Sequence, residues 1–329
     1  MVVNTWIATA AGNWSDDANW SLGHSPIEGE DPTFDGTSVN NCNADDPTPT
    51  GVLTIAAGYT GTITQSSDMH ITGYSQAGGT FTGVTTKWVY LSGDFTQSSG
   101  TITTSKTNVH LIDTSIFSTN SNFNGLWASA NFTVTGGTSN SFTIQGNPGI
   151  FIIDADITGT INSGKRIDMW SNNVNDNFTV LGTLTGSGIY NFPNAQYYLN
   201  DHSGYINCPM RIYCMGAADR IFTLNGNLNC NILTIDSAHA TYTETLNLNG
   251  HSLTATTITV GTRGVLANSA ATDSVISCNN FDSSAGTFTE ANTQVILNGN
   301  GTLKTGAHKF DELVQRDGVT TTLGSNITV

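Results

Sequence analysis

Four units of the form Gly-Thr-(Ile/Phe)-Thr open at Gly61, Gly79, Gly100 and Gly286, and each leads into a run where apolar and polar residues alternate. The first three stand 18 and 21 residues apart. Eight or nine residues after each glycine come Met69 and Ile71, then Trp88 and Tyr90, then Val109 and Leu111. Strand side chains alternate with a period of two, so each pair shares a face and is expected to point inward. The same code returns far along the chain, where Gly100, Thr101, Thr103, Thr107, Val109 and Leu111 reappear as Gly286, Thr287, Thr289, Thr293, Val295 and Leu297. A turn of about 20 residues holding two or three short strands is the repeat of a β-solenoid, whose coils bury their inward residues only by stacking. The pattern predicts an all-β parallel β-helix, or β-solenoid.

Asn-Gly pairs at Asn124–Gly125, Asn225–Gly226, Asn249–Gly250 and Asn298–Gly299 supply corners that tolerate positive φ. They are also hairpin signals, which makes an antiparallel arrangement the rival. Repetition of one code at coil length favours the solenoid. The stretch 121–137 matches 308–324, with Phe123 and Leu126 answering Phe310 and Leu313, and 244–266 reads as a further series of rungs. The solenoid is therefore expected over 51–329, as two similar blocks of about 51–200 and 201–329. The closing "LGSNITV" reads as a strand in mid-pattern, so further chain or a partner subunit is expected at that edge.

Residues 1–50 read differently, as a cap or attachment segment. Trp6, Trp14 and Trp20 fall close together, followed by Pro26, Pro32, Pro47 and Pro49, which interrupt ladders. The expected role of the tryptophans is an aromatic plug over the first open rung; a sugar-stacking site is the alternative.

Composition narrows the partners. With 10 basic against 25 acidic residues the net charge is −15, which argues against nucleic-acid binding. Nine carboxylates precede Lys87, the first basic residue, yet no calcium-loop motif accompanies them. No run approaches the roughly 20 apolar residues of a membrane span, so membrane insertion is not expected. The opening "MVVNTWIATAAGNW" lacks the features of a secretory leader, and a Thr/Asn/Gly-rich β protein without one is expected to reach the exterior inside a particle, as a virion component. Five cysteines, Cys42, Cys208, Cys214, Cys230 and Cys278, contain no CxxC spacing and are expected as buried free thiols.

The stretch "GNWSDDANWSLGHSP" resembles an opening found in autotransporter-like passenger domains and phage structural proteins. "GTFTEANTQVILNGNGTLKTGAHKFDELV" is similar to a repeat of phage fibre and surface β-solenoid proteins. The resemblance covers about a quarter of the chain. It implies surface display and carries over no catalytic residue.

Parallel β-helices also host polysaccharide lyases and hydrolases. The tidiest carboxylate pair, Asp154 and Asp156 in "GIFIIDADITGTI", would share one face of a strand whose Ile153, Ala155 and Ile157 point inward, a spacing compatible with acid–base glycoside chemistry. Solvent-facing strand residues follow the same pattern. Lys165, Arg166 and Asp168 form the nearest lyase-like group. Seven dispersed histidines (24, 70, 110, 202, 239, 251 and 308) make no metal motif, and no nucleophile elbow or P-loop occurs. No metal and no cofactor is expected. The sequence points to a non-enzymatic virion structural protein: a fibre, spike or capsid decoration. Its flat polar faces would self-associate as a homotrimer, pack on other virion proteins or touch cell-surface glycans. A secreted bacterial adhesin and a polysaccharide depolymerase are the alternatives.

Overall fold

The computed structural model describes the chain except for residues 48, 104–105, 120, 135–140, 145–149, 164, 170–176, 194–196, 200–201, 217, 290, 307–309 and 325–329. His308 and most of "LGSNITV" lie outside the described residues. The chain forms two compact units, Met1–Arg166 and Ile167–Val329. Each is built from parallel strands stacked as a β-solenoid with about 22 residues per turn, and no α-helix occurs among the described residues.

In the first unit, one series of strands runs from Val2–Thr5 through Glu30–Phe34 and Thr50–Ile55 to Met69–Gln76, all in parallel register. Beyond Met69–Gln76 the wall divides into two shorter strands per coil, beginning with Trp88–Leu91 and Phe95–Gln97. A second sheet stacks Gly12–Asn13, Cys42–Ala44, Thr62–Gln65, Thr80–Thr82 and Thr101–Ile102. The Gly-Thr-(Ile/Phe)-Thr units thus form successive rungs, and Ile63, Phe81 and Ile102 line up inside.

Register produces the core. Leu53, Tyr74, Phe95 and Phe117 form one buried column, and Val89, Val109, Leu126 and Phe151 form another. The Tyr74 and Phe95 rings stack at 4.4 Å, and Phe95 and Phe117 at 4.8 Å. Each such side chain taken from water contributes roughly 1.5–3 kcal/mol. Polar groups enter this interior where they satisfy corners. Gln76 accepts from the Tyr74 hydroxyl at 3.0 Å and donates to the carbonyls of Gly78 and Thr101 at 3.1 Å each.

The segment 1–50 contains rung strands as well as an aromatic seal. Trp6, Trp14 and Trp20 are at most 1% exposed. Trp20 packs edge-on against Trp6 and Trp14, and all three surround Phe34, which meets Tyr59 at 5.0 Å. The chain from Asn19 to His24 crosses the open edge of Val2–Thr5. Ser21 N–H donates to Thr5 O, Ile7 N–H donates to Asn19 O, and the Asn4 amide donates to His24 O. The Thr5 N–H and carbonyl, two of the backbone groups that would template another strand, are thereby occupied.

In the second unit the long strands His202–Cys214, Leu228–Ser237, Leu253–Val260 and Ser274–Asp282 stack in parallel. Met210, Leu233, Ile258, Phe281 and Leu303 make one buried column. Ile206, Cys230, Ala255, Cys278 and Leu297 make another. Cys230 and Cys278 are core residues of this second column, and all five cysteines are free and buried, as expected. The two distant sequence copies occupy equivalent settings: Val109 pairs with Leu126, and Val295 with Leu313, and both valines are 0% exposed. Of the four Asn-Gly corners only Asn249–Gly250 takes positive φ, at 51° and 79°.

Candidate functional site

One expectation fails by a single residue. Trp88 and Tyr90 do not point inward; Val89 and Leu91 do, at 1% and 0% exposure. Phe81 pairs with Ile102 but Val89 pairs with Val109, so the corner before Val89 holds one residue more than the corner before Val109. In a strand, a one-residue slip moves every side chain to the other face. The slip puts Trp88 and Tyr90 on the outer wall.

There they join residues from three other rungs. His70, Tyr90, His110 and Trp127 are consecutive register partners. His70 stacks on Tyr90 at 4.4 Å and 4°, Tyr90 meets His110 at 5.2 Å and 49°, and His110 stacks on Trp127 at 4.5 Å and 7°. All four are half-buried or exposed. Trp88 begins the adjacent column, in register with Asn108 and then Gly125. Its ring lies 6.2 Å from both His110 and Trp127, turned 70° and 73° from their planes. Asn108 is 0% exposed, and its amide donates to the carbonyls of Thr85 and Lys87 at 2.9 Å each.

Asp154 closes the far end of the stack. Trp127 Nε1–H donates to its Oδ1 at 3.0 Å, and the Ser129 hydroxyl donates to its Oδ2 at 2.6 Å. His110 Nε2 sits 3.0 Å from Ser129 Oγ. Burial lowers the His110 pKa against the opposing pull of Asp154, so the imidazole is neutral at pH 7. This set is not a nucleophilic triad. A triad needs the imidazole to take the serine proton and the carboxylate to back the imidazole. Here the serine hydroxyl donates to the carboxylate itself, not to the imidazole.

The strand-face reading of Asp154 and Asp156 is also overturned. The strand Ile150–Ile153 ends before them, Ile157 N–H turns back to Asp154 O, and Asp156 is exposed with φ 64°. Ile153 is buried, but Ala155 is exposed and Ile157 half-buried. Aspartate tolerates this left-handed turn conformation, so the pair makes a corner and not a shared face. Asp168 is 5% exposed and accepts from the Asn191 amide at 2.6 Å, a buried internal contact.

The remaining candidates are structural. The rings of Trp6, Trp14 and Trp20 have no exposed face on which a sugar could stack. His202 is buried against the Tyr190 hydroxyl at 3.2 Å. Among the described residues no three His, Cys, Asp or Glu side chains converge as a metal site, and no helix is long and apolar enough to cross a membrane. The second unit offers a polar groove lined by Asn229, Thr254, Thr256, Ser277 and Asn279, with no charged side chain in its lining.

Sequence reading missed the outer aromatic wall because its members lie 17 to 20 residues apart and meet only through register. The available signal was His70, Tyr90 and His110 at an equal spacing of 20, one coil length. No family model, no curated protein and no solved structure matches this chain.

Proposed function

We propose that this chain is a non-enzymatic display protein, a virion fibre, spike or capsid decoration, whose outer β-solenoid wall serves assembly and contacts cell-surface glycans. The observation that carries the glycan contact is the outward aromatic wall of Trp88, Tyr90, His110 and Trp127. Large half-exposed rings beside hydrogen-bonding groups suit a polyhydroxylated ligand with apolar ring faces. The sequence resemblance to phage surface β-solenoids supports the virion setting.

A depolymerase would need a free acid–base pair near the bound sugar. Asp154 has both oxygens engaged by Trp127 and Ser129, and Asp156 lies on a turn, which favours holding over cleaving. The test is to apply the full chain to an array of surface glycans and to assay the supernatant for new reducing ends. Binding without release of reducing ends is expected. Release abolished by Asp154→Asn would establish the depolymerase, and absence of all glycan binding would remove the contact role. Mass spectrometry of purified particles tests the virion setting separately, and recovery of the chain only from culture supernatant would favour the adhesin.

A further inference from the structure

Stacked rings spend their faces on each other. His70 covers one face of Tyr90, and His110 and Trp127 cover each other, so this column presents mainly edges to solvent. Trp88 is different. It stands nearly perpendicular to His110 and Trp127, and it reaches both at 6.2 Å although Trp127 lies two rungs away. Two rungs span roughly 9.6 Å at ~4.8 Å each, so the indole must extend along the solenoid axis, over the column of Asn108 and Gly125. Both floor residues permit this. Asn108 is drawn down by its bonds to Thr85 and Lys87, and Gly125 has no side chain; a Cβ there would meet Asn108 Oδ1 at 3.0 Å and Ile150 at 3.1 Å. The Trp88 ring plane therefore runs along the axis beside this floor, and the residue is only half-buried.

Acceptors stand at both ends of this platform. Asp68, one rung below, accepts the Trp88 backbone N–H on Oδ1 at 2.9 Å. Asp154 lies beyond Trp127, with each oxygen holding one bond. A carboxylate has about four acceptor sites, so both aspartates retain capacity for hydroxyl donors. Between Ser66 and Asp156 the chain carries five aspartates and two lysines, and no arginine. An anionic sugar placed here would face the Asp68 and Asp154 carboxylates, a like-charge juxtaposition that disfavours it.

We propose that the outward face of Trp88, floored by Asn108 and Gly125 and flanked by His110 and Trp127, is a subsite for one ring of a neutral saccharide running along the solenoid axis between Asp68 and Asp154. This rests on the glycan-contact reading above and specifies it: one ring stacks on Trp88, and hydroxyls of the sugar units on either side of it along the chain donate to the two carboxylates.

The test titrates the full chain, in chelator, with neutral gluco-, manno- and galacto-oligosaccharides and with oligogalacturonate. Calorimetry gives affinities, and the Trp88 and Trp127 indole N–H resonances report the site in the unaltered protein. A neutral oligosaccharide is expected to bind and shift both resonances. Trp88→Ala should weaken it about tenfold or more, the loss of roughly 1.4 kcal/mol, while Tyr242→Ala, a half-buried aromatic of the second unit outside its polar groove, leaves it unchanged. Oligogalacturonate should bind at least about tenfold more weakly. Tighter binding of oligogalacturonate, with Trp88 responding, would overturn the neutral-chain assignment but keep the glycan contact. Saccharide binding that leaves both indole resonances unmoved would overturn the subsite. No saccharide binding in any form would overturn the glycan contact itself.

Discussion

Glu244 should make this protein lose stability as pH rises, against the usual behaviour of a carboxylate. It opens the strand Glu244–Asn247 between register partners Arg220 and Gly264, is 0% exposed, and neither carboxyl oxygen has a hydrogen-bond partner among the described residues. Burial pushes its pKa from 4.5 up to about 9, with Arg220 opposing and Asp236 adding to the rise. A raised folded-state pKa means the folded chain holds the proton more tightly than the unfolded one. The stabilisation is complete below about pH 4.5 and drains away as pH rises towards 9. At ~1.4 kcal/mol per pH unit the loss is about 3 kcal/mol by pH 7 and about 6 kcal/mol by pH 9. Glu244→Gln removes the titration but buries an amide without partners, costing about 1–3 kcal/mol. The variant should therefore be less stable than the parent near pH 5 and more stable near pH 9. Urea unfolding followed by far-UV circular dichroism across pH 5–9 measures the crossing. Hydrogen exchange at Glu244–Asn247 localises it, since long repeat arrays need not unfold in one step. Difference curves flat to within about 1 kcal/mol would refute the reasoning.

Two further outcomes follow from burial. Trp20→Ala opens the aromatic seal, removing packing against Trp6, Trp14 and Phe34 and the indole bond to Trp14 O. A loss of roughly 3–5 kcal/mol is expected by thermal or urea unfolding, and an unchanged transition would contradict the role of the plug. The five thiols should resist a thiol reagent in the native state at pH 8 and all react in denaturant, because burial pushes Cys208, Cys230 and Cys278 up to about 12 and raises Cys42. Rapid labelling of any of them in the folded protein would place that residue outside the core.

The fold was readable because coils impose one inward code wherever their corners have equal length. Phe288 stands seven residues before Val295 and Ile102 seven before Val109, so copies 186 residues apart agree in setting. The nearer copy misled because Phe81 stands eight before Val89, and one extra corner residue changes no composition while exchanging the faces of the strand. The same error hid the site, since Trp88 and Tyr90 assigned to the core cannot be sought on the surface. Asp154 was noticed as a carboxylate, but its partners Trp127 and Ser129 lie 27 and 25 residues away and become neighbours only through stacking. The aromatic cluster was legible because Trp6, Trp14 and Trp20 stand close together within the chain itself.

Parallel register at the aromatic wall underlies both the architecture and the site, and disulfide trapping reads it directly. Neighbouring parallel strands bring Cα atoms to ~4.8 Å, within the range a disulfide spans. Tyr90→Cys with His110→Cys should cross-link under mild oxidation, because these residues are register partners on the outer face. Tyr90→Cys with Val109→Cys should not, because Val109 points into the core. Cross-linking of the second pair, or failure of the first, would contradict the register on which the wall is built.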